Sequence, residues 1–304
     1  MNNIPFDHYQ EIIPDFSSFV ESLHSPIPVH IRVNRLKIEP ESLIAMFRSK
    51  GIQLDSASPG HEGLYLARGL NSPGGLFEYF MGYFHPQALT SCLAPIVLNP
   101  RHGSLVLDMC AAPGGKTGQM AEIMSNTGLI IANELYPSRH VALGHTLARL
   151  GVLNTIVTSY QAQEFPKKKG AFDYILADVP CSGEGRFRVT FPGARYLIKK
   201  KKRRLPEIQK RIILRGFDLL KEGGHMLYAT CTYNPEENEG IVQFLLENRE
   251  EAMLLPIDVD IKHEPGLMQW GRERYDREME KAVRFYPHQV NSVGFFMARI
   301  TRRR

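Results

Sequence analysis

The sequence predicts an α/β protein, a parallel sheet with helices on both faces, preceded by a small α+β module. Three observations carry this. From Leu105 onward, short apolar runs alternate with stretches of helical periodicity, an order that yields a covered parallel sheet. The first unit, Leu105 to Met124, is a strand broken by Pro113-Gly114-Gly115 before a helix. Ahead of Ala88 the elements are shorter and follow a βαββ order. The change of pattern divides the chain into residues 1–87 and 88–304.

In the first part, Pro14 to Leu23 sets Phe16, Phe19, Val20 and Leu23 on one side of a short helix. Val29 to Asn34 alternates as a strand. Pro40 and Glu41 suit the first turn of a helix that stops at Gly51. Ile52–Leu54 and Gly63–Leu66 are short strands, and residues 69–75 form a loop. Ala88 to Leu98 is an apolar helix. Strands follow at Leu105–Met109, Gly128–Asn133, Thr155–Thr158, Phe172–Ala177, His225–Thr230 and Val293–Ile300. The intervening helices are Thr117–Met124, Ser138–Leu150 capped by Gly151, Leu205–Leu220 ending near Gly223-Gly224, and Pro235–Leu246 with an acidic first turn. In such sheets ligands bind at the carboxyl ends of the strands.

Hydrophobic residues at 43% and charged residues at 23% are ordinary for a globular protein. Met1 to Asp7 lacks a signal-peptide pattern and no apolar run reaches membrane-spanning length, so a cytoplasmic protein is expected. Cys92, Cys110, Cys181 and Cys231 contain no Cys-x-x-Cys pair and read as reduced thiols, with no metal set among them. Residues 1–100 hold 6 Lys/Arg and 9 Asp/Glu, whereas the rest hold 31 and 23. Within the basic part, Arg186 to Arg211 carries 11 Lys/Arg against the single acid Glu207, which fits either a polyanion partner or a solvated loop. The densest run is Lys199–Arg204.

Cys110–Thr117 has the strand–glycine turn–helix form of a nucleotide-type site, where glycines admit a ligand to the backbone and a helix start offers N–H groups. Gly115-Lys116-Thr117 matches the end of a phosphate-binding loop, but Cys110 stands where its first glycine belongs. The dinucleotide Gly-x-Gly-x-x-Gly pattern is absent. The remaining reading is S-adenosylmethionine, whose adenosine needs an acid at the end of the next strand. Glu134 stands there, 26 residues after Asp108.

Two further strand ends carry cysteines, in Asp178-Val179-Pro180-Cys181-Ser182-Gly183 and Thr230-Cys231-Thr232. A single cysteine is most often a small buried hydrophobe. Two at one rim beside a methyl-donor loop suit methylation of a pyrimidine ring carbon. A thiolate adding to carbon 6 of cytosine makes carbon 5 nucleophilic. A carboxylic group sharing a proton with ring nitrogen 3 eases that addition, and Asp178 is placed for it, although a turn-forming role is the alternative. Position alone leaves open which cysteine attacks.

These stretches, with Asp108-Met109-Cys110-Ala111-Ala112-Pro113-Gly114-Gly115-Lys116-Thr117, resemble the RsmB/Nop/Sun family of RNA cytosine-5 methyltransferases. Arg32–Lys37, Arg284–His288 and Gly294–Phe296 agree more weakly, so the resemblance spans nearly the whole chain. It implies a Rossmann-type class I methyltransferase domain behind an RNA-recognition-like module. It implies Cys231 as the nucleophile, Cys181 as the group assisting product release, and Asp178 contacting base and cofactor. Cys110, Ala111, Ala112, Pro113, Gly114, Gly115 and Lys116 match the loop holding the cofactor's methionine end. Glu134 and Arg139 match the ribose-side residues.

Gln161 departs from the family, which usually carries an adenine-contacting Asp at that point. The N-terminal module is net acidic, so Arg186 to Arg211 is the expected RNA-contacting stretch, with rRNA and tRNA both open as substrates. A monomer is expected. A noncatalytic RNA-binding factor would leave both cysteines and Asp178 without use, and an exocyclic-amine methyltransferase, distantly suggested by Asp178-Val179-Pro180, would leave the thiols idle.

Overall fold

The computed structural model describes residues 5–166, 170–190 and 204–303. Half of the basic stretch, residues 191–203, lies outside the described residues. Helix α1 (Phe16–Ser22) leads to β1 (His30–Val33), α2 (Pro40–Arg48), β2 (Gln53–Ser56), β3 (Leu64–Arg68), α3 (Phe77–Phe80) and β4 (Phe84–Pro86). These four strands form an antiparallel sheet ordered β2-β3-β1-β4. Its core includes Ile31, Val33, Leu43, Phe47, Ala67 and Phe84, with Phe47 of α2 meeting Phe84 of β4 edge-on. The short α3 and β4 escape sequence reading because three or four residues show no period.

The larger sheet begins after α4 (Leu89–Leu98). It runs through β5 (Leu105–Asp108), α5 (Gly115–Ile123), β6 (Leu129–Asn133), α6 (Pro137–Leu150), β7 (Thr155–Thr158), β8 (Phe172–Asp178), α7 (Leu205–Leu219) and β9 (Leu220–Thr230). Then come α8 (Glu239–Asn248), β10 (Ala252–Leu255), β11 (Glu264–Pro265), the hairpin β12 (Gln269–Trp270) and β13 (Glu273–Arg274), β14 (Val283–Phe285), α9 (Pro287–Val290) and β15 (Phe295–Arg302). The strand order is β11-β14-β15-β9-β8-β5-β6-β7, with β10 pairing to β15. Strands β5 to β9 pair in parallel. The Rossmann-type core therefore forms as expected, with apolar residues of β5, β8 and β9 covered on both faces.

Three details differ from the sequence reading. β15 runs antiparallel to both β9 and β14, and the link from β14, residues 286–294 with the one-turn α9, is too short for the crossover that a parallel pairing needs. β9 starts at Leu220, directly after α7, so Gly223-Gly224 lies within the strand's first half instead of capping the helix. α8 starts at Glu239 rather than Pro235. The Asn238 side chain bonds Thr230 and the Thr232 carbonyl, which holds Pro235–Asn238 in a turn.

Residues 6–23 do not pack on the N-terminal sheet. Phe6, Tyr9, Ile13, Phe19 and Leu23 form one cluster with Phe187, Tyr233 and Tyr286. The start of the chain thus rests on the segments that follow the two cysteine motifs.

Candidate active site

β5 delivers Asp108 to the rim, and the chain turns through Cys110–Gly114 into α5. Gly114 has φ +104, a conformation that L side chains rarely adopt. A β-carbon on Gly115 would lie 2.7 Å from His85 Nε2 and 3.0 Å from Gln87 Oε1, so only glycine lets β4 back the loop this closely. Asp108 is buried beneath. It accepts the Thr117 hydroxyl at 2.7 Å and the Cys110 N–H at 3.4 Å. Burial pushes its carboxyl up to about 7. The Cys110 thiol stays protonated, raised well above its ordinary value by burial and by the nearby Asp108, Asp178 and Glu134. Of the rim cysteines it is thus poorly suited to act as a nucleophile.

Glu134 follows β6 and is almost wholly buried. It accepts the Tyr136 N–H at 3.0 Å and pairs with Arg139 Nη1 at 3.0 Å. Arg139 also donates to the Ala112 carbonyl at 2.6 Å, tying the acid to the glycine loop. Gln161 is exposed beyond β7 and accepts from Gln163 at 2.7 Å. Its segment is held on the same rim by Asn133, which bonds both the N–H and carbonyl of Tyr160.

Asp178 ends β8 and accepts from Lys116 Nζ at 2.8 Å. Burial alone would lower the Lys116 pKa, but the Asp178 carboxylate outweighs it and holds the ammonium above its ordinary value. Cys181 and Cys231 meet, with sulfur atoms 3.4 Å apart. The hydrogen bond with Cys181 holds the Cys231 pKa below its ordinary value; burial and Asp178 oppose this, and Arg186 and Lys116 assist it. Cys181 goes the other way, well above its ordinary value, through the same bond and through burial. The pair therefore ionises first at Cys231.

Around the thiols lies a polar frame that residue spacing did not reveal. Ser182 and Thr232 hydroxyls meet at 2.6 Å, and Glu237 accepts the Ser182 N–H at 2.9 Å. Gln209 of α7 donates to the Pro180 carbonyl at 2.9 Å and to Glu237 at 3.0 Å. The one visible signal was a hydroxyl residue after each cysteine. On this rim the structure brings together Cys231, Cys181, Asp178, Lys116 and the loop. Among the described residues no group of three His, Cys, Asp or Glu could hold a metal ion, and no helix is long and apolar enough to cross a membrane.

A glycine loop at the first strand, an acid at the second and paired thiols at the fourth and fifth define a nucleoside-type transferase site. The chain belongs to the 16S rRNA methyltransferase RsmB/F family, whose model matches residues 95–301. It is 35% identical over 292 residues to the tRNA (cytosine(49)-C(5))-methyltransferase of Pyrococcus abyssi, covering 96% of this chain and 94% of that one. It is also 35% identical over 292 residues to the 28S rRNA (cytosine(4447)-C(5))-methyltransferase of Homo sapiens, covering 94% of this chain but 36% of that protein. The chain spans little more than a third of the length of its human and mouse relatives, 36% and 37%. A crystal structure of a methyltransferase homolog protein from Pyrococcus horikoshii superposes with TM-score 0.84 at 32% identity, covering 98% of this chain and 93% of that one.

Proposed function

We propose that this chain methylates carbon 5 of a cytosine in rRNA or tRNA, with S-adenosylmethionine as methyl donor and Cys231 as covalent nucleophile. The observation that carries this reading is the contact of two thiols, of which Cys231 ionises first, beside the Asp178–Lys116 pair. Family membership and the cytosine-C5 activities named for its relatives support it.

The rim residues fit the donor. Gly114 and Gly115 let the loop pack tightly against Leu143, Thr146, His85 and Gln87, and the first N–H groups of α5 have no partner within the helix and can face a ligand. The Glu134 carboxylate uses one bond on each oxygen, and its remaining lone pairs suit ribose hydroxyls. Cys110, Ala111, Ala112, Pro113, Gly114, Gly115 and Lys116 would hold the methionine end, with Arg139 bracing the loop and Gln161 bonding adenine. When bound, the donor supplies an electrophilic methyl group.

The chain's own residues do the rest. The Cys231 thiolate adds to carbon 6 of a cytosine splayed from its stack, and Asp178 shares a proton at nitrogen 3. Lys116 keeps Asp178 oriented through its 2.8 Å bond. After carbon 5 is methylated and loses its proton, the Cys231 bond to carbon 6 breaks, and Cys181 assists that release. Arg186 to Arg211 contacts RNA phosphates.

The test is transfer of labelled methyl groups to bulk RNA. Cys231→Ala should abolish it, whereas Cys181→Ala should accumulate a denaturation-resistant protein–RNA adduct. Full activity in Cys231→Ala would sink the mechanism.

A further inference from the structure

We propose that Glu184, held by Tyr9 from the start of the chain, is a positioning residue that sets Thr232 and thereby the Cys231 nucleophile. This rests on the reading of Cys231 given above. Glu184 Oε2 accepts the Thr232 hydroxyl at 3.0 Å and the Tyr9 hydroxyl at 3.1 Å. Neither bond follows from chain proximity, since Tyr9 and Glu184 are 175 residues apart and Glu184 and Thr232 are 48 apart.

Hydrogen-bond capacity fixes the direction of the chain. Thr232 has one hydroxyl proton, and a carboxylate can only accept, so that proton goes to Glu184. The Ser182 hydroxyl must then donate to Thr232 across their 2.6 Å contact, and the Asn234 N–H donates to the same oxygen at 3.2 Å. Thr232 Oγ1 is thereby saturated as one donor and two acceptors. Ser182 follows Cys181 and Thr232 follows Cys231, so the Ser182–Thr232 bond ties together the residues flanking both thiols. The next residue after Glu184 adds a backbone clamp, Gly185 N–H donating to the Cys231 carbonyl at 2.9 Å.

Tyr9 is itself fixed. It is buried among Phe6, Tyr233 and Trp270, so its hydroxyl aims at Glu184 without rotamer choice. Residues 6–23 thus do more than cover a core. They supply the second bond that keeps Glu184 facing Thr232. A bare buried carboxylate beside Glu237 would otherwise favour its protonated form, and burial with Glu237 does raise the Glu184 pKa. The two hydroxyl donors oppose that tendency.

Glu184→Ala leaves the Thr232 hydroxyl free to rotate, and a misplaced nucleophile costs on the order of 10–100-fold in kcat. The donor and RNA constants should change far less than kcat, because the Glu184 carboxylate is engaged by Tyr9 and Thr232. Glu184→Gln keeps an acceptor oxygen and should recover most of the loss. Tyr9→Phe retains the ring packing and loses only the hydroxyl, so it should lower kcat by roughly 3–10-fold while the melting temperature falls by no more than a few degrees. The decisive measurement is the rate of adduct formation in the Cys181→Ala background. Adduct forming in Cys181→Ala but slowed in Cys181→Ala/Glu184→Ala and restored by Glu184→Gln is the expected result. An equal rate with and without Glu184 overturns the relay. No adduct in Cys181→Ala itself would instead overturn the reading of Cys231.

Discussion

The Cys181 sulfur sits 3.4 Å from the Cys231 sulfur and also accepts the Cys231 backbone N–H at 3.4 Å. One cysteine therefore sets the ionisation of the other. The same bond that lowers Cys231 raises Cys181.

Removing Cys181 should deprive the Cys231 thiolate of its chief stabilising donor. In Cys181→Ala the pH profile for alkylation of Cys231 should move to higher pH by about one unit, the scale of one charge-assisted hydrogen bond. The profile is read from the iodoacetamide rate between pH 6 and pH 10, with the modified residue identified by peptide mapping. A profile that stays in place would show that Cys181 does not tune the nucleophile.

A second prediction concerns acid stability. Arg149 Nη2 donates to His85 Nδ1 at 2.8 Å, which requires a neutral imidazole carrying its proton on Nε2. Burial, then Arg32 and Arg149, push His85 down to about 3, and burial pushes His30 down to about 4. Both folded values lie below the unfolded value near 6.5, so the unfolded chain takes up protons first on acidification. Their contribution is complete above about pH 6.5 and is lost as pH falls toward 4 and 3. His85→Gln should therefore lose less stability than wild type between pH 7 and pH 5, by no more than about 2 kcal/mol. Urea unfolding at the two pH values measures the difference, and parallel losses in both proteins would refute it.

The Arg284–Glu239 pair behind β14 supports a third. Both side chains are fully buried, Arg284 Nε donates to Glu239 at 2.6 Å, and Arg284 Nη1 donates to the Tyr233 carbonyl at 3.1 Å. Arg284→Met leaves a buried carboxylate without its partner and should cost about 3–5 kcal/mol in denaturant unfolding. Arg284→Met with Glu239→Gln should recover part of that. A single-variant loss below about 1 kcal/mol would contradict the pairing.

The fourth rests on charge. Lys199–Arg204 consists wholly of Lys and Arg. Neutralising all six residues should weaken RNA binding and flatten the dependence of log affinity on log salt, by about 0.7–0.9 for each phosphate that is no longer neutralised. Filter binding across a salt series decides it, and an unchanged slope would assign the phosphate-binding surface elsewhere.

The parts of this structure that a single sequence discloses are those with local signatures. Leu105–Thr117 discloses itself because an apolar run, three turn formers and a helix lie within 20 residues. Asp178, Cys181 and Cys231 could be placed on one rim because parallel strands end on one side. The frame around the thiols could not. Tyr9, Glu184 and Thr232 have no mutual spacing to detect, and their bonds span 175 and 48 residues. β15 reads as a strand, but its direction depends on β14, whose three residues carry no period. Pro235 reads as a helix start because residue spacing does not show that the Asn238 side chain bonds Thr230 and Thr232.

Tyr286, two residues before His288, donates its hydroxyl to the carbonyl of Ile12 at 3.1 Å, a separation of 274 residues. β15 occupies the position between β9 and β14. During synthesis, Tyr9, Ile12 and Cys231 are therefore all outside the ribosome before the strand and ring that anchor them exist. Such late, distant closure is slow to form. The nascent chain can bury its parallel strands early, whereas the antiparallel β14–β15 edge that covers β9 is added only after those strands have emerged.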